Sequence, residues 1–172
     1  GYINDKARSD FYTHIDAANV DLKAFSQNFY SKLTLSNLAP VLDTLVWLKN
    51  ESRVWFEITT LIIPGENDSD QELNAMCQWI YDKLGGEVPL HFSAFHPDFR
   101  LLDYQSTPKE TLVRAREIAH RHGLKYVYVG NVDDTERQST YCPACSKLLI
   151  ERNWYELGQY KIKGGACAYC AA

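Results

Sequence analysis

The chain has 172 residues, 45% hydrophobic and 23% charged, with a mean hydropathy of −0.35, which is globular usage and excludes a disordered, collagen-like or coiled-coil segment. Its 18 basic and 22 acidic residues give a formal charge of −4 and an isoelectric point near 5.7, leaving no basic face suited to polyphosphates or anionic lipids. No apolar run approaches the ~20 residues of a membrane span and no basic-then-apolar leader opens the chain, so the expectation is a cytoplasmic protein without nucleic-acid or membrane partners.

Gly1 stands where an initiator methionine would, and the only methionine is Met76, so the chain reads as processed or as a piece of a longer one. A weak helix is predicted over about Asp5 to Thr13, followed by a strand from Asn19 to Phe25. A helix from about Leu38 to Lys49 carries Pro40 near its start and Val41, Leu42, Leu45 and Leu48 on one face. Val54 to Ile63 is the second strand. Ser69-Asp70-Gln71-Glu72 then forms a capping box for a helix with Leu73, Met76, Cys77, Ile80 and Leu84 on its apolar stripe, stopped by Gly85-Gly86. Val88 to Phe95 is the third strand. Thr107-Pro108-Lys109-Glu110 reads as another capping box, with Thr107 as the cap, Leu112, Ala115, Ile118 and Ala119 as the stripe and Gly123 as the stop. The fourth strand is Lys125 to Val129. This alternation predicts an α/β fold with a parallel sheet and right-handed crossovers. Four strands cannot close a barrel, so the sheet is open or is completed from outside the chain.

After Gly130 the sequence turns polar over Asn131 to Ser139, and a boundary is placed here: residues 1–131 form the α/β part and 132–172 a small cysteine-rich tail. Cys142-Pro143-Ala144-Cys145 and Cys167-Ala168-Tyr169-Cys170 are two C-x-x-C knuckles 21 residues apart, flanking a hairpin predicted to pair Leu148–Arg152 with Tyr160–Lys163. Four thiolates at that spacing suit one tetrahedral ion, zinc or iron, and a tail this small needs such a staple to fold. The site is closed and structural in this reading. Disulfides are the competing reading, which a cytosolic chain disfavours. Cys77, on a helix stripe, is assigned to the core.

Polar residues within the strands need their own explanation, because parallel strands covered on both sides are normally apolar. Asp21 and Lys23 alternate with Val20, Leu22 and Ala24, Glu57 and Thr59 alternate with Phe56 and Ile58, and His96 closes the third strand. A buried ion pair and a core histidine are the plain readings; a polar pocket at the C-terminal strand ends, where α/β proteins bind ligands, is the other. His91 is expected to pack on the face opposite His96. Dinucleotide-binding, phosphate-loop and nucleophile-elbow glycine motifs do not occur.

Four blocks taken in order, VDLKAF (20–25), FEITTLIIPGENDS (56–69), VPLHFSAFHPDFRLLD (88–103) and YVYVGNVDD leading into STYCPAC (126–145), resemble the C-terminal portion of radical SAM proteins related to pyruvate formate-lyase activating enzymes, most closely the AmmeMemoRadiSam system branch. The resemblance implies part of a (β/α)6 barrel, with S-adenosylmethionine and a [4Fe-4S] cluster as cofactors, a flavodoxin or ferredoxin as electron donor, and a protein or small molecule as substrate. It places Asp21 and Lys23 on a SAM-lining Asp-Leu-Lys motif, Thr59 and Leu61 beside SAM on the next strand, and His96 near the adenosine. A basic residue stands in the activating enzymes where this chain has Thr59. The cluster-binding C-x-x-x-C-x-x-C loop and the glycine-glycine-glutamate motif are absent from these residues, so the chain alone is expected to be inactive. A non-catalytic α/β module with a protein-docking zinc ribbon is the alternative.

Overall fold

The computed structural model describes all residues from Gly1 to Ala172. Helix α1 (Asp5–Thr13) starts where the Asn4 side chain accepts the Ala7 N–H, and strand β1 (Ala17–Asp21) follows. A short helix α2 (Gln27–Phe29) runs into a π-helical turn over Tyr30–Thr34, and then comes helix α3 (Ala39–Glu51). Strand β2 (Trp55–Ile62), helix α4 (Asp70–Leu84), strand β3 (Leu90–Ala94), helix α5 (Lys109–Arg121) and strand β4 (Val127–Gly130) continue the alternation. The single turn α6 (Thr135–Gln138) leads into β5 (Thr140–Tyr141), β6 (Leu148–Asn153), β7 (Glu156–Tyr160), β8 (Ile162–Lys163) and β9 (Ala166–Cys167). No helix is long and apolar enough to cross a membrane.

Strands β1 to β4 form one parallel sheet in sequential order. Right-handed crossovers between consecutive neighbours put every connecting helix on the same side. Burial agrees with that arrangement. Val20, Ile58, Phe92 and Val127 on one face of the sheet are sealed against Leu45, Leu73, Ile80 and Leu112 of the helices in one hydrophobic core. The other face carries Asp21, Glu57, Thr59, His91, Ser93 and Tyr128, all half-buried or exposed. The polar alternation noticed in the sequence is therefore that of a parallel sheet clad on one side only.

The ends of the strands are held by side chains as much as by the ladder. Asn67, 2% exposed, donates from Nδ2 to the Lys23 and Leu61 carbonyls at 2.7 and 2.9 Å, and its Oδ1 accepts the Ile63 N–H at 2.7 Å. Tyr30 Oη accepts the Lys23 N–H at 3.1 Å, and Thr60 donates to the Leu22 carbonyl at 2.8 Å. These bonds continue the β1 end past Asp21, where the expected strand to Phe25 leaves the ladder. Thr107 is not the cap of α5; Pro108 occupies that position. The Thr107 hydroxyl instead donates to Ile62 O at 2.6 Å and accepts the Phe95 N–H at 2.9 Å, joining the ends of β2 and β3. Ser69 does cap α4, accepting the Glu72 N–H, but Glu72 does not close the box. Its carboxylate accepts the Phe25 N–H at 2.6 Å, across 47 residues.

In the tail, β6 pairs with β7 as the sequence led us to expect, with Ile150 opposite Tyr160. The turn is tighter than predicted, because Asn153 already faces Glu156 across Trp154-Tyr155. Residues 162–163 leave this hairpin and pair with β9.

Asn67→Ala and Thr107→Val each strand buried backbone groups that no other side chain reaches. Each is expected to cost about 1–3 kcal/mol of stability, read as a lower urea midpoint with an unchanged slope.

Candidate functional site

The open face of the sheet reads across its strands in register. Asp21 is opposite Thr59, Thr59 opposite His91, and His91 opposite Tyr128, so one row crosses all four strands. A second row, nearer the C-terminal ends, runs Leu61, Ser93, Gly130. Gly130 suits its position because a Cβ there would meet Ser93 Oγ at 3.0 Å.

The residues expected to line a SAM site lie at this end. Lys23 Nζ is 2.8 Å from Asp21 Oδ2, with the side chains 38% and 51% exposed, so the pair is open to solvent and the buried-pair reading falls. Thr59 Oγ1 donates to Asn19 Oδ1 at 2.9 Å, and Leu61 is half-buried two residues further along. His96 lies beyond the end of β3, exposed and without a hydrogen bond, so it is not a core histidine. Asp21, Lys23, Thr59 and Leu61 thus share one face, and His96 stands in the loop above the adjoining strand.

A second group lies lower on the face. His91 Nε2 is 2.8 Å from Glu57 Oε2, and its ring stacks on Tyr128 with centroids 5.0 Å apart. The contact is close but off the N–H axis, which leaves that buried nitrogen without an aligned acceptor. The imidazole still holds the Glu57 carboxyl below its usual range, against the opposite push of burial. His91, expected as packing, is a polar member of the open face. Near the strand ends, Glu66 accepts from both Lys32 Nζ and Tyr104 Oη at 2.7 Å, which fixes the Pro64–Ser69 turn against the loop before α5.

The tail brings the four cysteines of the knuckles together, their sulfurs all within 4.8 Å of one another. Cys142 and Cys170 sulfurs are 3.7 Å apart, Cys145 and Cys167 3.8 Å. Sulfurs 2.3 Å from one central ion form a tetrahedron with edges of about 3.8 Å, whereas a disulfide needs about 2.0 Å. The group fits a single metal ion and is too tight for a cluster in which each cysteine holds its own iron. The two knuckles repeat one backbone design. Ser146 N–H donates to Cys142 O and Ala171 N–H to Cys167 O, while Cys142 and Cys167 N–H reach the Lys147 and Ala172 carbonyls. The amides of Cys145 and Ala144 draw the Cys142 thiol down to about 6, favouring the thiolate a metal requires. Cys167 is also lowered: burial opposes this, but the Tyr169 and Cys170 amides prevail. Cys77 is sealed in the core, and burial pushes its thiol up to about 12, which makes it unreactive.

No protein-family model matches the chain. It is 48% identical over 138 residues to an uncharacterized protein of Methanocaldococcus jannaschii, a match that covers 80% of this chain and 41% of that protein, so the chain spans less than half of its relative's length. Among solved structures it is similar to a domain of a pyruvate-formate lyase-activating enzyme from Bacteroides vulgatus, with a TM-score of 0.64 and 13% identity over 74% of this chain and 75% of that one. It is also similar to a radical SAM methyltransferase from Sphaerobacter thermophilus, with a TM-score of 0.54 and 16% identity over 64% of this chain and 32% of that one. At such identities the likeness establishes the fold alone: a radical SAM-like α/β sheet, here followed by a four-cysteine metal-binding group.

Chelation or Cys142→Ser is expected to remove about one ion per chain, by elemental analysis, and to unfold the ribbon while the sheet persists. Ser146 and Ala171 sit at φ of 56° and 60°, so Ser146→Gly and Ala171→Gly each relieve about 1 kcal/mol of left-handed strain and raise the melting temperature of the metal-loaded protein. Glu57 has a folded pKa below its unfolded one, so its contribution to stability is present above the ordinary glutamate pKa and fades as pH falls through the folded value. Glu57→Gln should therefore be less stable than the parent at pH 7 and converge with it in acid, as urea midpoints at the two pH values will read.

Proposed function

We propose that this chain is the C-terminal part of a radical SAM enzyme, akin to the activating enzymes and of the AmmeMemoRadiSam branch, with residues 1–131 as part of its barrel and 132–172 as a zinc-stapled ribbon. The observation that carries the reading is the cluster of Asp21, Lys23, Thr59 and Leu61 on the uncovered face of a sheet whose structural neighbours are radical SAM enzyme domains. A ligand on that face meets a carboxylate, an ammonium and a hydroxyl beside an apolar side chain, which together suit an amino-acid head group and a flat heterocycle. Asp21 and Lys23 hold each other in place and remain accessible, and His96 is free to turn toward an adenosine from above β3.

When bound, a reduced [4Fe-4S] cluster and S-adenosylmethionine supply a 5′-deoxyadenosyl radical for hydrogen abstraction from substrate. The cysteines of this chain are committed elsewhere, four to the single-ion site and Cys77 to the core, so cluster ligands belong to sequence outside these 172 residues. The role of these residues is then to position SAM and to keep water from it. A soluble electron donor and a protein or small-molecule substrate complete the proposed reaction. The alternative, a ribbon that docks a protein partner without catalysis, draws on Tyr155 and Leu157, 99% and 70% exposed on the hairpin.

In the intact protein, Asp21→Ala and His96→Ala are each expected to weaken SAM binding about tenfold in calorimetric titration while the metal content of the tail stays the same. Unchanged SAM affinity in both variants would overturn the assignment and favour the docking module. The 172-residue chain by itself should yield no 5′-deoxyadenosine after anaerobic cluster reconstitution; its appearance would refute the placement of the cluster ligands.

A further inference from the structure

Between the open face and the ribbon lies a cavity of about 390 Å³ that the SAM reading does not use. Glu57, His91 and Tyr128 line it from the sheet, Arg152, Trp154 and Tyr155 from the ribbon. The ribbon is fastened there by a short polar chain. Tyr128 Oη and Thr140 Oγ1 are 3.0 Å apart, Arg152 Nη1 donates to the same hydroxyl at 2.5 Å, and the guanidinium carbon lies 5.8 Å from the centre of the Tyr128 ring.

The charges in this cavity are unevenly satisfied. Glu57 has His91 beside it and feels Arg152 across the cavity, but no carboxylate lies within ion-pair distance of Arg152. Only Nη1 of its guanidinium is engaged, which leaves Nε and Nη2 as a free two-pronged donor edge. Beside it stand two large aromatic side chains, Trp154 53% and Tyr155 99% exposed, although exposed aromatics carry an unfavourable hydration cost. Trp154 also sits at φ 53°, in a tight hairpin turn where glycine is at home, and is held there by its N–H bond to Gln138 Oε1 at 2.8 Å. An exposed indole on a backbone held at positive φ, next to a guanidinium with no ion-pair partner and over a cavity, is the arrangement of a ligand site.

We propose that this cavity binds a small aromatic carboxylate, its carboxylate on the Nε–Nη2 edge of Arg152 and its ring against Trp154 and Tyr155. The Glu57–His91 pair forms the far wall, with the Glu57 carboxylate turned to His91. The inference rests on the radical SAM reading only for the use made of the ligand, as the anchored end of a substrate; the cavity and its charge do not depend on SAM.

The test uses 3-phenylpropionate and its neutral isostere 3-phenylpropionamide as probes, titrated into the metal-loaded protein and followed by the amide resonances of Gly130, Asn131 and Trp154. The acid should give saturating shifts at these positions and bind at least about tenfold more tightly than the amide. Arg152→Gln should abolish that preference and Arg152→Lys should keep part of it. Equal affinity for acid and amide, shifts that map elsewhere, or no saturation sinks the proposal. Arg152 also joins ribbon to sheet, so if its variants fail to fold the comparison of the two probes on the unsubstituted protein decides. A SAM titration of the intact protein reads the other claim separately: SAM binding without carboxylate binding overturns this inference alone, and the reverse overturns only the SAM assignment.

Discussion

The parallel sheet is clad by helices on one face only, and most of what is distinctive in the molecule follows from that. Sequential strand order with right-handed crossovers leaves no helix for the second face. The strands must therefore alternate, with Val20, Ile58 and Phe92 toward the helices and Asp21, Glu57, Thr59 and His91 away from them. The side chains of such an open polar face can take partners from water or from one another. Here they find them in one another, as Asp21 with Lys23, Thr59 with Asn19 and Glu57 with His91, and in the ribbon, as Tyr128 with Thr140. Each of these contacts is made on the open face and not through the core, so the chemistry of the face can vary without repacking the helices behind it.

Holding such a face rigid is the work of buried polar groups at the strand ends. The ladder stops at Asp21, Ile62 and Ala94, and beyond it the chain would carry unpaired amides into loops. Asn67 ties the first two ends together, and Thr107 ties the second to the third. Tyr30 and Glu72 take the amides of Lys23 and Phe25. Lys23 is thereby fixed through its backbone, so the position of its ammonium depends on side chains from the π-helical turn, the loop after β2 and the start of α4.

How much of this was legible in the sequence depended on how local the signal was. The knuckles could be read because spacing alone brings four thiols together, and the helices because caps and stripes lie within one turn or two. Thr107 was misread for the same reason: a threonine ahead of proline looks like a cap, while its true partners, Ile62 and Phe95, come from elsewhere in the chain. The open face was legible as alternation, yet His91 was placed on the wrong side because parity was counted from His96, which has already left the strand. Arg152 could not have been found, since nothing in a hairpin sequence says which sheet residue the hairpin will meet. The extra tightness of the Trp154 turn was equally hidden, because a tryptophan at positive φ contradicts the local preference.

Among the contacts that join ribbon to sheet are the atoms that shape the cavity. The ribbon has a hydrophobic cluster of its own in which only Cys142, Leu149 and Cys167 are fully buried, too little to fold it unaided. A metal ion on the four cysteines would supply the missing stabilisation, through knuckles whose carbonyls and amides are locked by Ser146, Lys147, Ala171 and Ala172. Strand β6 leaves the first knuckle within three residues and carries Arg152 to Thr140 and Tyr128. An ion held by the four cysteines would thus set where a guanidinium stands over the sheet. The four-cysteine group and the cavity are coupled by geometry: loss of an ion held there would remove one wall of the cavity and leave the core behind the sheet intact.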